Sequence, residues 1–288
     1  MNRLLLAALI PSLLVACAST SASDKPTAAA TAAAQATAGV DAAKLQANLD
    51  GAWRNPKFTP RDVYRHPRET LTFFNIAPSQ TVIEITPGAG WYSEILAPYL
   101  KDNGRYVAAV WDDAITGQPK YRYDLNKTLR EKFVANAGVY GTPDVRVFDP
   151  KAPVFGAPGS ADTVLTFRNA HNWVDDGNAE AYFKAFFDVL KPGGTLGVVD
   201  HRAKPGTDLA RMKESGYLTE ALVLALAQGA GFVLEAQSEV NANPRDTADH
   251  PNGVWTLPPS NNHDAADDAK YKAIGESDRM TLRFRKPR

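Results

Sequence analysis

The stretch Val82-Ile83-Glu84-Ile85-Thr86-Pro87-Gly88-Ala89-Gly90-Trp91-Tyr92-Ser93 constrains this chain more than any other. It reads as a buried strand with an acidic residue near its end, a glycine turn, and the start of a helix. Glycine admits backbone conformations closed to other residues and leaves room for a ligand against the main chain. A helix that starts there turns its free N–H groups and positive dipole end toward the same point. Tyr92, Ile95, Leu96, Tyr99 and Leu100 follow the i, i+3, i+4, i+7, i+8 spacing of one apolar face. Pro98 inside that face predicts a kinked or shortened helix. The layout suits a loop that receives a nucleotide cofactor, but G-x-G alone also serves as a tight turn in many α/β proteins.

The neighbouring segments supply the context. Val82–Ile85, Tyr106–Val110, Val145–Phe148, Thr163–Phe167 and Thr195–Val199 read as successive strands separated by helical or loop segments. A helix over 178–190 carries Ala179, Tyr182, Phe183, Phe186, Phe187 and Leu190 on one face and meets Pro192-Gly193-Gly194. Leu218, Ala221, Leu222 and Ala225 mark another helix. Phe232–Val240 and Met280–Phe284 close the series, the last alternating as a half-exposed edge strand would. Alternating strands and helices predict an α/β, doubly wound, Rossmann-like sheet of seven strands, mainly parallel with a terminal antiparallel hairpin. Ligands of such sheets bind beyond the carboxyl ends of the strands.

The first residues read differently. Met1-Asn2-Arg3 is a short positive region, and Leu4 to Val15 is apolar but too short to span a bilayer. The run ends in Leu14-Val15-Ala16-Cys17, which resembles the lipobox of bacterial lipoproteins. That resemblance implies an exported protein lipidated on Cys17 and anchored to the cell envelope. Ala18 after the cysteine implies the outer membrane, facing the periplasm. A plain secretory signal, with Cys17 incidental, is the alternative. Cys17 is the single cysteine, so its acylation removes disulfides, thiol nucleophiles and zinc–cysteine sites. The expected organisation is residues 1–17 as signal peptide, 18–45 as an Ala/Ser/Thr-rich flexible tether, and 46–288 as the folded domain. Charge balances at 32 basic and 32 acidic residues, which gives no argument for a nucleic-acid partner.

From about Thr59 onward the pattern is similar to the class I S-adenosylmethionine (SAM)-dependent methyltransferases. The likeness rests on Glu84 through Gly90, the acidic end of the second strand, the Leu190-Lys191-Pro192-Gly193-Gly194-Thr195 turn and the closing hairpin. Tyr64-Arg65-His66-Pro67, Asn243-Pro244-Arg245-Asp246 and Gly275-Glu276-Ser277-Asp278-Arg279 resemble an exported subgroup of predicted methyltransferases. The resemblance implies SAM as cofactor. Glu84, Thr86, Gly88 and Gly90 would form its loop, Asp112 would take the ribose hydroxyls, and Asp149 would border the adenine. Arg168, as a cofactor contact, and Asn169, as a catalytic group, would stand near the methyl-transfer centre. Thr86 departs from the pattern, which has glycine there, and Asp113 competes with Asp112.

Methyl transfer needs alignment and a dry pocket, with a general base where the acceptor arrives protonated. His171 and His201, after the fourth and fifth strands, are the candidate bases, and Trp173 could wall off the substrate. Each could equally be a structural loop or core residue. Arg61, Arg65, His66 and Arg68 form a basic cluster that could grip a carboxylate of cofactor or substrate, or simply face solvent. His250, His263, Asp264, Asp267 and Asp268 fit no compact metal motif, and no metal is expected. The leading reading is a SAM-dependent methyltransferase acting on a small molecule or envelope component. The alternatives are an inactive lipid-anchored binding or scaffold protein with the same fold, and a NAD(P)-dependent oxidoreductase. Ser93 stands where the third glycine of a dinucleotide motif would be and disfavours the oxidoreductase.

Overall fold

A computed structural model describes residues 39–288. The expected signal peptide, Cys17 and most of the tether lie outside the described residues. The fold begins before the expected boundary at residue 46. Ala42–Leu49 is a helix capped by the Asp41 side chain, with Leu45 buried and the Asp41 N–H bonded to the Tyr99 hydroxyl at 2.9 Å. Among the described residues no helix is long and apolar enough to cross a membrane.

Seven strands form one sheet. They are β1 (Thr81–Ile85), β2 (Arg105–Trp111), β3 (Asp144–Phe148), β4 (Ala161–Phe167), β5 (Leu190–His201), β6 (Val233–Ser238) and β7 (Arg279–Arg285). Their order is β3-β2-β1-β4-β5-β7-β6, with β7 antiparallel to both neighbours and the other pairings parallel. β1 and β4 are therefore adjacent at the centre, where the strand order changes direction. Their carboxyl ends frame the crevice in which such sheets bind ligands.

Alternate residues of the central strands feed two cores. Ile83, Ile85, Val107, Ala109, Val164, Leu196 and Val198 face one core with Tyr182, Phe183 and Phe186 of the helix Ala179–Val189. Val82, Tyr106, Ala108, Val110, Leu165 and Val199 face the other, with Ile95, Leu96, Tyr99 and Leu100 of the helix Ser93–Leu100. Phe183 and Phe186 are fully buried, each stabilising the fold by roughly 1.5–3 kcal/mol through lost water contact. Both sheet faces being covered explains why the strands read as apolar runs.

Pro98 lies inside the eight-residue helix, which runs on to Leu100. A proline cannot donate to the carbonyl four residues back. That carbonyl, of Glu94, instead accepts from the Trp53 indole N–H at 2.9 Å. At the other side of the sheet, β5 starts at Leu190, ahead of the expected Thr195. Ala161 pairs with Leu190 but Thr163 with Thr195, so Lys191-Pro192-Gly193-Gly194 bulges out of the ladder, with Gly193 at φ +77°.

The last strand requires a correction. β7 is not a half-exposed edge; it lies between β5 and β6, and β6 is the edge. The arginines that suggested exposure are covered by contacts. Arg283 and Arg285 pair with Glu235 of β6 at 2.9 and 2.5 Å, and the Arg283 guanidinium lies 5.1 Å over the Phe73 ring.

Candidate active site

A cavity of about 540 Å³ opens at the carboxyl ends of β1, β2, β4 and β5. Its lining gathers residues spread over the whole domain, among them Arg65, Glu84, Thr86, Gly88, Arg168, Asn169, His171 and His201.

The β1 side is local in sequence. Glu84 is buried at the end of β1, where its Oε2 accepts from the Tyr106 hydroxyl at 2.5 Å and the Ser93 hydroxyl at 3.4 Å. Burial pushes its carboxyl up to about 7, against the lowering effect of those two hydroxyls and of Arg65 and Lys132. Thr86 holds φ at +47°, the left-handed region in which glycine is at ease. The backbone thus keeps the turn for which the resemblance implies glycine, while its N–H bonds the Ala109 carbonyl at 2.8 Å. The Thr86 hydroxyl is buried and has no partner. Gly88 and Gly90 have φ of +61° and +85°. A Cβ on Gly88 would stand in open space, whereas one on Gly90 would lie 2.7 Å from a Leu129 methyl. Gly88 therefore faces the room a ligand needs, and Gly90 serves packing.

Asp112 and Asp149 stand just past the ends of β2 and β3 but outside the cavity lining. Asp112 accepts the Ala114 N–H at 2.9 Å and Asp149 the Lys151 N–H at 2.8 Å, so each shapes a turn. Asp113 commits both oxygens, to Asn126 at 2.7 Å and Arg130 at 2.9 Å, which leaves Asp112 the freer of the adjacent pair. Trp111 and Tyr121 line the cavity here, edge to face.

The β4–β5 side is assembled over longer range. Asn169 spans β1 and β4, its amide nitrogen donating to the Ile85 carbonyl at 3.1 Å and the Phe167 carbonyl at 3.2 Å. His171 begins a helical turn, and its Nδ1 lies 2.9 Å from Oδ1 of the fully buried Asp200 at the end of β5. The His171 N–H reaches the other carboxylate oxygen at 3.2 Å. Asp200 therefore fixes the ring and favours the tautomer with its proton on Nδ1, in which Nε2 carries the lone pair. His201 Nδ1 meets the Ser277 hydroxyl at 2.5 Å. Burial, then His171, Arg168, Arg279 and Arg65, hold the His201 ring well below its ordinary value, so it is neutral.

One donor atom each from His171, Asp200 and His201 lie within 4.8 Å of one another, as around a cation. The sequence singled out different histidines and aspartates for that possibility. The nearby guanidiniums make this spot electropositive, which disfavours a cation. Of the late histidines, His250 bonds buried Asp246 at 2.8 Å, with the Tyr217 hydroxyl 2.9 Å from the same carboxylate, in a structural knot.

Trp173 needs correction as a substrate wall. It does not line the cavity; it is buried in the core, stacked on Tyr182 with ring centres 4.2 Å apart. Trp255 lines the cavity instead, from the Pro/Asn-rich stretch, 6.2 Å from the His171 ring. The basic cluster also divides. Arg68 is exposed, whereas Arg65 is 3% exposed, lines the cavity and lies over the Trp91 ring at 4.7 Å. Arg65 Nε is 3.3 Å from Glu276, which Arg61 Nε approaches at 2.5 Å and Arg279 Nη1 at 3.0 Å. Burial alone would raise Glu276, but Arg65, Arg279, Arg168 and Arg61 outweigh it and hold the carboxyl at about 2.

The two late motifs explain this arrangement. Asn243 donates to the carbonyls of Ile274 and Glu276 at 2.9 and 2.7 Å, and the Asp278 N–H reaches Asp246 at 2.7 Å. Asp278 also pairs with Arg202 at 2.9 Å. Residues 275–279 are thus clamped so that Glu276 meets the arginines and Ser277 meets His201.

With the geometry established, comparison with solved structures gives the fold. A SAM-dependent methyltransferase from Aquifex aeolicus aligns over 86% of this chain and 99% of its own, at 15% identity and TM-score 0.52. The chain has the class I methyltransferase fold. A Galdieria sulphuraria protein provisionally assigned as a sarcosine dimethylglycine methyltransferase aligns over 80% and 86%, at 15% identity and TM-score 0.53. The [4+2]-cyclase SpnF aligns over 77% and 81%, at 16% identity and TM-score 0.56, so this fold also serves other chemistry. No family model and no curated protein matches the sequence.

Proposed function

We propose that this protein is a SAM-dependent methyltransferase whose acceptor enters the same cavity as the cofactor. The observation that carries the reading is that Glu84, Thr86 and Gly88 of the β1 loop share one cavity with His171, whose ring is held by buried Asp200. The residues present fit the cofactor. The orphaned Thr86 hydroxyl and the open space above Gly88 offer a polar contact and a close approach, and Trp111 and Tyr121 offer apolar faces for a purine. Asp112 keeps a carboxylate oxygen for a ribose diol.

When bound, SAM supplies a methyl group already activated on a sulfonium, so the protein's share is placement and proton handling. Asp200 orients the His171 ring, and Nε2 is the atom that takes a proton from an acceptor hydroxyl or amine. His201, neutral and tied to Ser277, supports the ring beside it at 5.0 Å between centres. Asn169 joins the ends of β1 and β4 and fixes the floor between loop and base.

Thermal unfolding tests the reading, with SAM, its demethylated product, NAD and NADP added separately. SAM or its product at 100 times its dissociation constant stabilises by ~2.7 kcal/mol. Stabilisation by NAD alone, or by none of the four, rejects the proposal.

A further inference from the structure

We infer that the methyl acceptor is an organic anion, its carboxylate or phosphate group received by Arg65 and Arg168 with Arg61 beside them. The inference rests on the reading that the cavity also holds SAM. It begins from charge. Arg61, Arg65, Arg168 and Arg279 surround a single carboxylate, Glu276, and both of its oxygens are already engaged. Counting Asp200 as a second anion, which Arg168 also feels, still leaves two cations in excess. Glu84, which lines the cavity and feels Arg65, bonds two hydroxyls and no guanidinium, and burial holds it largely toward its neutral form. Guanidiniums withdrawn from water without counter-charge are costly, and a bound anion would offset that cost.

The hydrogen-bond inventory points the same way. Arg65 lines the cavity, is almost wholly buried, and has an Nη2 with no partner; Arg61 Nη2 is likewise unpaired. Arg168 lines the cavity at the end of β4 and has no hydrogen bond or ion pair to another side chain among the described residues. Its φ of +62° is one that a non-glycine residue rarely adopts, while its N–H is anchored to the Val199 carbonyl at 2.7 Å. A strained residue that presents an unpaired guanidinium to a cavity is arranged for a ligand.

The cofactor does not meet this need. SAM carries one carboxylate against an ammonium and a sulfonium, so it adds positive charge. A guanidinium that bound the cofactor's carboxylate would leave others without an anion. Guanidinium forks match carboxylate and phosphate geometry. Trp91, Tyr92 and Trp255 line the same space, so the carbon skeleton of the acceptor meets aromatic faces.

Calorimetry on the full chain saturated with S-adenosylhomocysteine tests the inference, with benzoate, benzamide and inorganic phosphate as probes. Benzoate or phosphate is expected to bind, and benzamide at least about tenfold more weakly than the better anion, as loss of a charge-assisted pair predicts. Arg168→Gln should weaken the anion by about tenfold and leave S-adenosylhomocysteine unchanged. Arg65→Gln should do the same, but it also disturbs the Glu276 cluster, so Arg168→Gln is the deciding variant. Equal binding of acid and amide, no binding of either anion, or an equal loss for anion and S-adenosylhomocysteine in Arg168→Gln would each overturn the inference. If S-adenosylhomocysteine itself does not bind, the methyltransferase reading falls separately. The anion titration is then run on the unliganded chain, where the same Arg168 dependence is expected and its absence overturns the inference.

Discussion

Two buried glutamates, one in the cavity wall and one paired with arginines of that wall, are driven in opposite directions. Glu84 and Glu276 are each 3% exposed. Glu84 meets two hydroxyls, and burial raises its carboxyl to about 7. Glu276 suffers the same burial but meets three guanidiniums, which with Arg168 hold it at about 2. Depth alone therefore does not set charge in this fold. Partners set it, and the two sides have been given different ones. The β1 side is polar, its carboxyl held by hydroxyls. The arginine side is electropositive and carries its own internal counter-ion.

The largest test of that contrast is Glu276→Gln. Removing one member of a buried charge cluster strands the others, so we expect a loss of about 3–5 kcal/mol in chemical unfolding at neutral pH. A loss below 1 kcal/mol would mean that solvent already screens the arginines. The pH dependence of stability has a definite sign. Glu276 is depressed from an ordinary 4.5 to about 2, so its contribution is present above 4.5 and fades as pH falls through 2. Glu84 is raised from 4.5 to about 7, so its contribution is present below 4.5 and is lost as pH rises through 7.

Glu84→Gln sharpens the comparison from the other side. It should remove up to about 3 kcal/mol of the fall in stability between pH 4.5 and 7, the free energy of a shift of that size. An unchanged slope across that window would show that Glu84 stays ionised when buried. The smallest effect is expected at Thr86→Gly. Relief of the left-handed backbone, worth roughly 1–2 kcal/mol, is offset by glycine's greater freedom when unfolded, for a net gain within about 1 kcal/mol. A clear destabilisation in the melt would instead make the threonine side chain a packing element.

The same contrast governs what could be read from the sequence. The β1 side is one continuous segment, so strand, glycines and helix announce themselves through periodicity and turn chemistry. Even the departure at Thr86 was visible, though not that its backbone would keep the glycine conformation. The carbonyl that Pro98 leaves without a helical donor was legible, but the indole that satisfies it comes from Trp53, outside any local pattern. The arginine side depends on contacts between distant residues. His171 and Asp200 are 29 positions apart and meet because β4 and β5 are parallel neighbours. Arg65 and Glu276 are 211 apart, and each alone looks like a surface charge. Trp173 followed a strand end, as a wall residue would, yet the turn of helix it sits on directs it to the core, where Tyr182 completes its packing. Trp255 was hidden in a stretch whose prolines and asparagines read as loop.

The clamp on residues 275–279 has a consequence for how the pocket comes into being. Arg61 and Arg65 find their counter-charge on a residue made more than two hundred positions later. Glu276 stands just before β7, so it meets those arginines only where β7 is paired between β5 and β6. The strand that fills the gap between β5 and β6 thus acts as a keystone: the segment leading into it also delivers the counter-charge to arginines far upstream.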